Sequence, residues 1–79
     1  MTGEQLRRLR EAAHISMREL ASALKRPSVH SIWRHEAGEQ RAIDSDEADV
    51  LKRAVVQLLQ ARLAAVAEIL EEMNHGGTG

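Results

Sequence analysis

The sequence predicts an all-α fold: a small bundle of four to five helices, the last of them long. Three features carry this reading. Helix starts are marked by capping sequences at Thr2-Gly-Glu-Gln5, Ser16-Met-Arg-Glu19 and Asp44-Ser-Asp-Glu47. In each, a side chain and a partner three residues on can satisfy each other's free backbone N–H groups. Apolar residues recur at three- and four-residue spacing, which lines one face of a helix. No Gly or Pro falls between Asp44 and Met73.

The first box opens a helix over about 3–13 with Leu6, Leu9 and Ala13 on one face. The second opens a helix over about 17–25 with Leu20, Ala21 and Leu24 inward. His14-Ile15 is then a very short connection. Arg26-Pro27 breaks the chain, Ser28 is the expected N-cap of a third helix running to about Glu36, and Gly38 is placed to stop it. A polar loop leads to Asp44, after which one long helix or two abutting helices are both compatible with the pattern. The domains expected are a helix-turn-helix region over 1–43, a C-terminal helical region over 44–74 and a disordered tail over 75–79. The architecture is therefore a compact helix-turn-helix bundle of four to five helices with a long C-terminal dimerisation helix.

At 79 residues, with no Phe, Tyr or Cys, the core is thin. Cores of this size usually supply only about 3–5 kcal/mol unless something else helps. A disulfide is excluded by the absence of Cys. A metal is disfavoured because His30 and His35 stand five apart, which does not put two ligands on one helix face; no cofactor is expected. That leaves oligomerisation. No apolar run approaches a membrane span and no signal peptide opens the chain, so a cytoplasmic protein is expected.

The net charge of −1 conceals an asymmetry. Residues 1–41 carry eight Lys or Arg against five Glu, and residues 42–79 carry three basic against seven acidic residues. A basic half suits phosphate and an acidic half suits protein, although two ordinary solvated surfaces would give the same count.

On a helical wheel Val29, Ile32 and Glu36 share one side of the third helix, and His30 and Arg34 lie one turn apart opposite them. That is the geometry of a recognition helix entering a major groove. Arg34 can bond bidentately to guanine O6 and N7, and His30 can donate to a base acceptor; Val29 and Ser31 complete the expected base-reading set. Ser28, Arg26, Lys25, Arg18 and Arg41 border the surface and are the expected contacts to the DNA backbone. Trp33 either stacks beside that backbone or packs the edge of the helix, and packing is favoured because the core has no other aromatic.

These residues resemble the Cro/CI-type (XRE-like) helix-turn-helix transcriptional regulators over about residues 4–43. The resemblance is carried by Leu9-Arg10, Glu19-Leu20-Ala21, and Ile32 with Glu36 and Gly38. It implies a buried ion pair between Arg10 and Glu36. Three positions depart from the family pattern. His14 stands where Gly is preferred, implying a positive φ. Met17 replaces a Gln that touches phosphate, and one extra residue separates Leu24 from Ile32. The longer turn is similar to that of the small phage anti-CRISPR-associated regulators, in which a basic residue at the place of His30 reads the operator.

In the C-terminal half, Val56, Leu59, Leu63, Val66, Leu70 and Met73 are spaced 3-4-3-4-3, the a/d seam of a helix pair. A second apolar line, Leu51, Val55, Leu58, Ala65 and Ile69, is interrupted by Arg62. A helix apolar over so much of its girth must bury two faces: one on the helix-turn-helix, the other on a second copy. The expected function is a homodimeric, sequence-specific repressor that binds an inverted-repeat operator in double-stranded DNA and autoregulates its promoter, with a phage anti-CRISPR operon as the narrower possibility. The rival is an antitoxin-type module whose C-terminal helix engages a different protein. An enzyme is not expected, since the sequence has no glycine-rich phosphate loop and no nucleophile–base–orienter set; Asp46-Glu-Ala-Asp49 is a helix start. No small-molecule ligand and no membrane contact are expected.

Overall fold

The computed structural model describes residues 1–76. Four helices follow one another: α1 (Gly3–Ala12), α2 (Met17–Ala23), α3 (His30–Ala37) and α4 (Ser45–Gly76). The C-terminal half is thus one continuous helix of 32 residues, about 48 Å long at ~1.5 Å per residue. It makes the molecule elongated, 56 × 23 × 19 Å. No helix among the described residues is long and apolar enough to cross a membrane.

Both early capping boxes form. Thr2 and Gln5 satisfy each other's backbone N–H groups, as do Ser16 and Glu19. At α1 the remaining free N–H groups are met by the loop that follows α3: Gly3 N donates to the Arg41 carbonyl at 3.4 Å and Glu4 N to that of Glu39 at 2.9 Å. The third signal works only in part. Asp44 accepts from Asp46 N–H at 3.2 Å, but Glu47 does not fold back. Its carboxylate points to Arg26 and His35 instead.

The turns after α1 and α2 are alike. Ile15 N donates to the Arg10 carbonyl and His14 N to that of Glu11; Arg26 N donates to the Ala21 carbonyl and Lys25 N to that of Ser22. These are two Schellman motifs, whose penultimate position is left-handed and usually Gly. Here it is His14 at φ 55° and Lys25 at φ 56°. The positive φ expected at His14 is present, and Lys25 adds a second. Gly38 ends α3 at φ −84°, so it stops the helix without a left-handed turn.

The core is centred on Leu6, Ile15, Leu20, Ile32, Leu51 and Val55, all fully buried, with Ala21, Ile43, Ala48 and Ala54 among them. Met17 and Leu58 pack partly buried against it, so the residue that departs from the family pattern at the start of α2 is used for packing. Leu9, expected inward, is 36% exposed, because α1 offers only a narrow stripe to its neighbours. The expected disordered tail begins too early: His75 and Gly76 belong to α4, since a helix without internal breakers propagates cheaply once formed. Residues 77–79 of that expected tail lie outside the described residues.

Candidate nucleic-acid interface

α3 is fixed by its inner side. Ile32 is fully buried, and Glu36, the one buried charged residue among those described, is 3% exposed. Arg10 Nε and Nη2 reach the two Glu36 carboxylate oxygens at 2.7 and 2.8 Å, and Arg10 Nη1 reaches the Ile15 carbonyl at 3.0 Å. The hydrogen bond to Glu36 raises the pKa of the Arg10 guanidinium above its ordinary value. One planar cation therefore joins α1, the first turn and α3. The forked geometry is what Arg, unlike Lys, can supply.

With Ile32 and Glu36 inward, the outer face of α3 carries His30, Trp33 and Arg34, all exposed. Trp33 is 54% exposed, which overturns the packing expected of it: the inner stripe is filled by Ile32 and Glu36, and position 33, about 100° round the helix from Ile32, falls on the flank. Its indole stacks on the His30 imidazole, ring centroids 6.0 Å apart and planes 21° from parallel. Val29 is 37% exposed and caps α3 without a side-chain bond. The expected cap, Ser28, lies one residue earlier and accepts from His30 N–H at 3.3 Å.

Two shallow grooves flank this face. One is lined by Ser31, Arg34, Arg41 and Ala42, the other by Arg18, Ser22, Ser28 and Val29. Among the described residues Arg18, Lys25, Arg34 and Arg41 are exposed and make no ion pair. Arg26 differs from the role expected of it. Its Nη2 lies 2.6 Å from Glu47 Oε1 and its Nη1 donates to Ser31 Oγ at 2.9 Å. A guanidinium drawn inward by a carboxylate on α4 is a brace for the turn rather than a free cation. Ser31, half-buried and engaged by that brace, is likewise withdrawn from the outer face.

Glu47 also accepts from the ring of His35, with 2.9 Å between Glu47 Oε2 and His35 Nε2. The Arg26 guanidinium first, and the His35 ring after it, hold the Glu47 carboxyl below its ordinary pKa. Arg62, which interrupts an apolar line in the sequence, is the counterpart at the other end. Its Nη1 donates to the Ala13 and His14 carbonyls at 3.0 Å each, and its Nη2 is bonded to Glu19. Glu19 is held below its ordinary pKa by the Ser16 backbone N–H first and then by Arg62. The signal for both was present: a charged residue at 47 or 62, in helical register with Leu51, Val55 and Leu58, faces the bundle and needs a partner there.

The seam residues expected at a dimer interface are all uncovered in the single chain: Val56 51%, Leu59 38%, Leu63 69%, Val66 55%, Leu70 54% and Met73 64% exposed. Ile69 is 55% exposed as well, because the bundle ends before α4 does. Among the described residues no cluster of three His, Asp or Glu could hold a metal ion. No family model matches the chain, and neither does any curated protein or solved structure.

Proposed function

We propose that the protein is a sequence-specific DNA-binding transcriptional repressor that acts as a homodimer on an inverted-repeat operator and autoregulates its own promoter in the cytoplasm. One observation carries the reading: α3 turns His30, Trp33 and Arg34 outward together while Ile32 and the Arg10–Glu36 pair lock its inner side. Arg34 would read guanine through paired donors, and the Trp33 ring offers an apolar edge for a thymine methyl. Stacking on Trp33 restricts the His30 ring before any contact is made, which lowers the ordering cost of binding. Arg18, Lys25 and Arg41 supply cations for phosphates on either side of the duplex groove, and the Ser28 hydroxyl supplies a further polar contact. Occupying a promoter in this way excludes polymerase. The narrower resemblance favours a phage anti-CRISPR operon as the regulated unit.

Selection of bound sites from random double-stranded DNA tests this directly. The expected product is a palindrome with two guanine-containing half-sites. Recovery of no enriched sequence would refute the reading. A second protein co-purifying in fixed ratio from the native host, together with no enriched site, would favour the antitoxin-type module.

A further inference from the structure

α4 carries two apolar lines that point in different directions. Leu51, Ala54 and Val55 are buried under α1–α3, Leu58 is half-buried there, and Arg62 ties the same side to the α1–α2 turn. Val56, Leu59 and Leu63 are exposed. At about 100° per residue that exposed line lies roughly a quarter turn around α4 from the buried one. It continues through Val66, Leu70 and Met73, beyond the last tie to the bundle. An exposed apolar strip of this length marks an interaction surface.

We propose that a second copy of this chain docks on that strip antiparallel, with Val56 facing the partner's Met73, Leu59 the partner's Leu70, and Leu63 the partner's Val66. The proposal rests on the homodimer of the proposed function and adds its direction and register. Three observations support it.

The spacing 3-4-3-4-3 reads the same from either end. All six seam residues therefore find an apolar partner in one antiparallel register, with the midpoint between Leu63 and Val66.

Charge then separates the two directions. Glu68, Glu71 and Glu72 are exposed, and no Lys or Arg follows Arg62. A parallel pair gathers six carboxylates at one level. An antiparallel pair carries each trio toward the partner's Lys52 and Arg53. In this chain Lys52 has only a 3.6 Å contact to Asp49, and Arg53 makes no ion pair among the described residues.

Symmetry supplies the third support. The two-fold axis of an antiparallel pair is perpendicular to the plane of the two helices. A bundle attached a quarter turn from the seam stands out of that plane, and the axis maps it to the same side. The two bundles, with the α3 helices they carry, then stand on one side of the helix pair, separated by a distance that the length of α4 sets. In a parallel pair the axis runs along the helices and throws the two bundles to opposite sides.

The chain has no Cys, so an introduced thiol is unique. Val56→Cys and Met73→Cys alter side chains that are more than half exposed and leave the single-chain fold intact. Each variant alone, and an equal mixture, is oxidised and the products are weighed by mass spectrometry, with sedimentation of the unmodified protein alongside. The expected result is a disulfide between the two variants in the mixture and none when either is alone. A disulfide of Met73→Cys with itself establishes the parallel pair and overturns the proposal. Absence of every disulfide overturns it too, whether the protein sediments as monomer or dimer. Operator binding is scored on the same samples. A mixed disulfide without DNA binding sinks the repressor reading but not the pairing, and DNA binding by a parallel dimer sinks the pairing alone.

Discussion

Arg10 and Glu36, 26 residues apart in sequence, meet fork to fork inside the protein, with side chains 13% and 3% exposed. The pair closes α1 on α3 and so sets the angle at which His30 and Arg34 face solvent. Removing either partner leaves a buried charge uncompensated. Arg10→Ala or Glu36→Ala is therefore expected to cost about 3–5 kcal/mol in urea unfolding, whereas Arg10→Met with Glu36→Leu should be neutral to stabilising. A double variant as unstable as the singles would mean that the pair contributes net stability of its own.

Gly3 allows the close approach of α1 to α3 to be tested. A Cβ there would stand 1.9 Å from the His35 carbonyl oxygen and 2.9 Å from its carbon, both backbone atoms that cannot swing away. Gly3→Ala should force α1 off α3 and cost about 1–3 kcal/mol. Gly38→Ala, with its nearest neighbour at 3.5 Å and φ negative, should fall within about 0.5 kcal/mol of wild type. Thermal melts of the two variants decide it, and equal losses would contradict the difference in clearance.

The two left-handed residues predict gains. His14 and Lys25 hold φ of 55° and 56°, a region that costs a residue with a Cβ about 1–2 kcal/mol. Gly removes that strain but loses more backbone entropy on folding, so His14→Gly should stabilise by about 1 kcal/mol or less. Lys25→Gly should do the same while removing one cation from the surface. A fall in melting temperature for His14→Gly would show that its side chain makes a stabilising contact.

Where helix starts were written in short-range chemistry, as at Thr2 and Ser16, the sequence was legible, because the partners are three residues apart. Leu20, Ile32, Leu51 and Val55 were legible for the same reason, being fixed by periodicity. What local pattern does not show is which residue a bundle-facing charge meets across a long separation. Glu47 looked like an acid at a helix N-terminus and is the anchor for Arg26 and His35. Arg62 looked like a flaw in an apolar line and is a clamp on the first turn. Composition favours packing of Trp33 at the edge of α3, since the core has no other aromatic, but Ile32 and Glu36 fill the inward stripe and the indole is left exposed. The close approach at Gly3 leaves no trace in local pattern at all.

Glu47 makes the fold sensitive to acid in a defined direction. Its carboxyl is held below the ordinary value of 4.5, by the Arg26 guanidinium first. A folded-state value depressed below the unfolded one contributes stability that is complete above the ordinary carboxylate range and is lost as pH falls through the depressed value. Unfolding free energy should therefore drop below about pH 4.5, and Glu47→Gln should flatten that drop while lowering stability at neutral pH. An unchanged acid slope in Glu47→Gln would transfer the effect to other carboxylates, of which Glu19 is also depressed.

The arginines around α3 separate into classes that a salt titration can tell apart. Arg34 stands on the outer face with His30 and is free of ion pairs. Arg34→Ala or His30→Ala should lower affinity for the selected operator by about 1–3 kcal/mol and relax preference at one base position, leaving affinity for random DNA nearly unchanged. Lys25→Ala and Arg41→Ala should weaken selected and random sequences alike and reduce the slope of log affinity against log salt by about 1 each. Arg26 belongs to neither class. Its guanidinium is bound to Glu47 and Ser31, so Arg26→Ala should lower stability and loosen the turn into α3 without removing a unit from the salt slope. Calorimetric and fluorescence titrations across a range of salt would measure all five variants on one scale. A full unit lost from the slope in Arg26→Ala would return that residue to the phosphate contacts, and identical behaviour of Arg34 and Arg41 would remove base reading from α3.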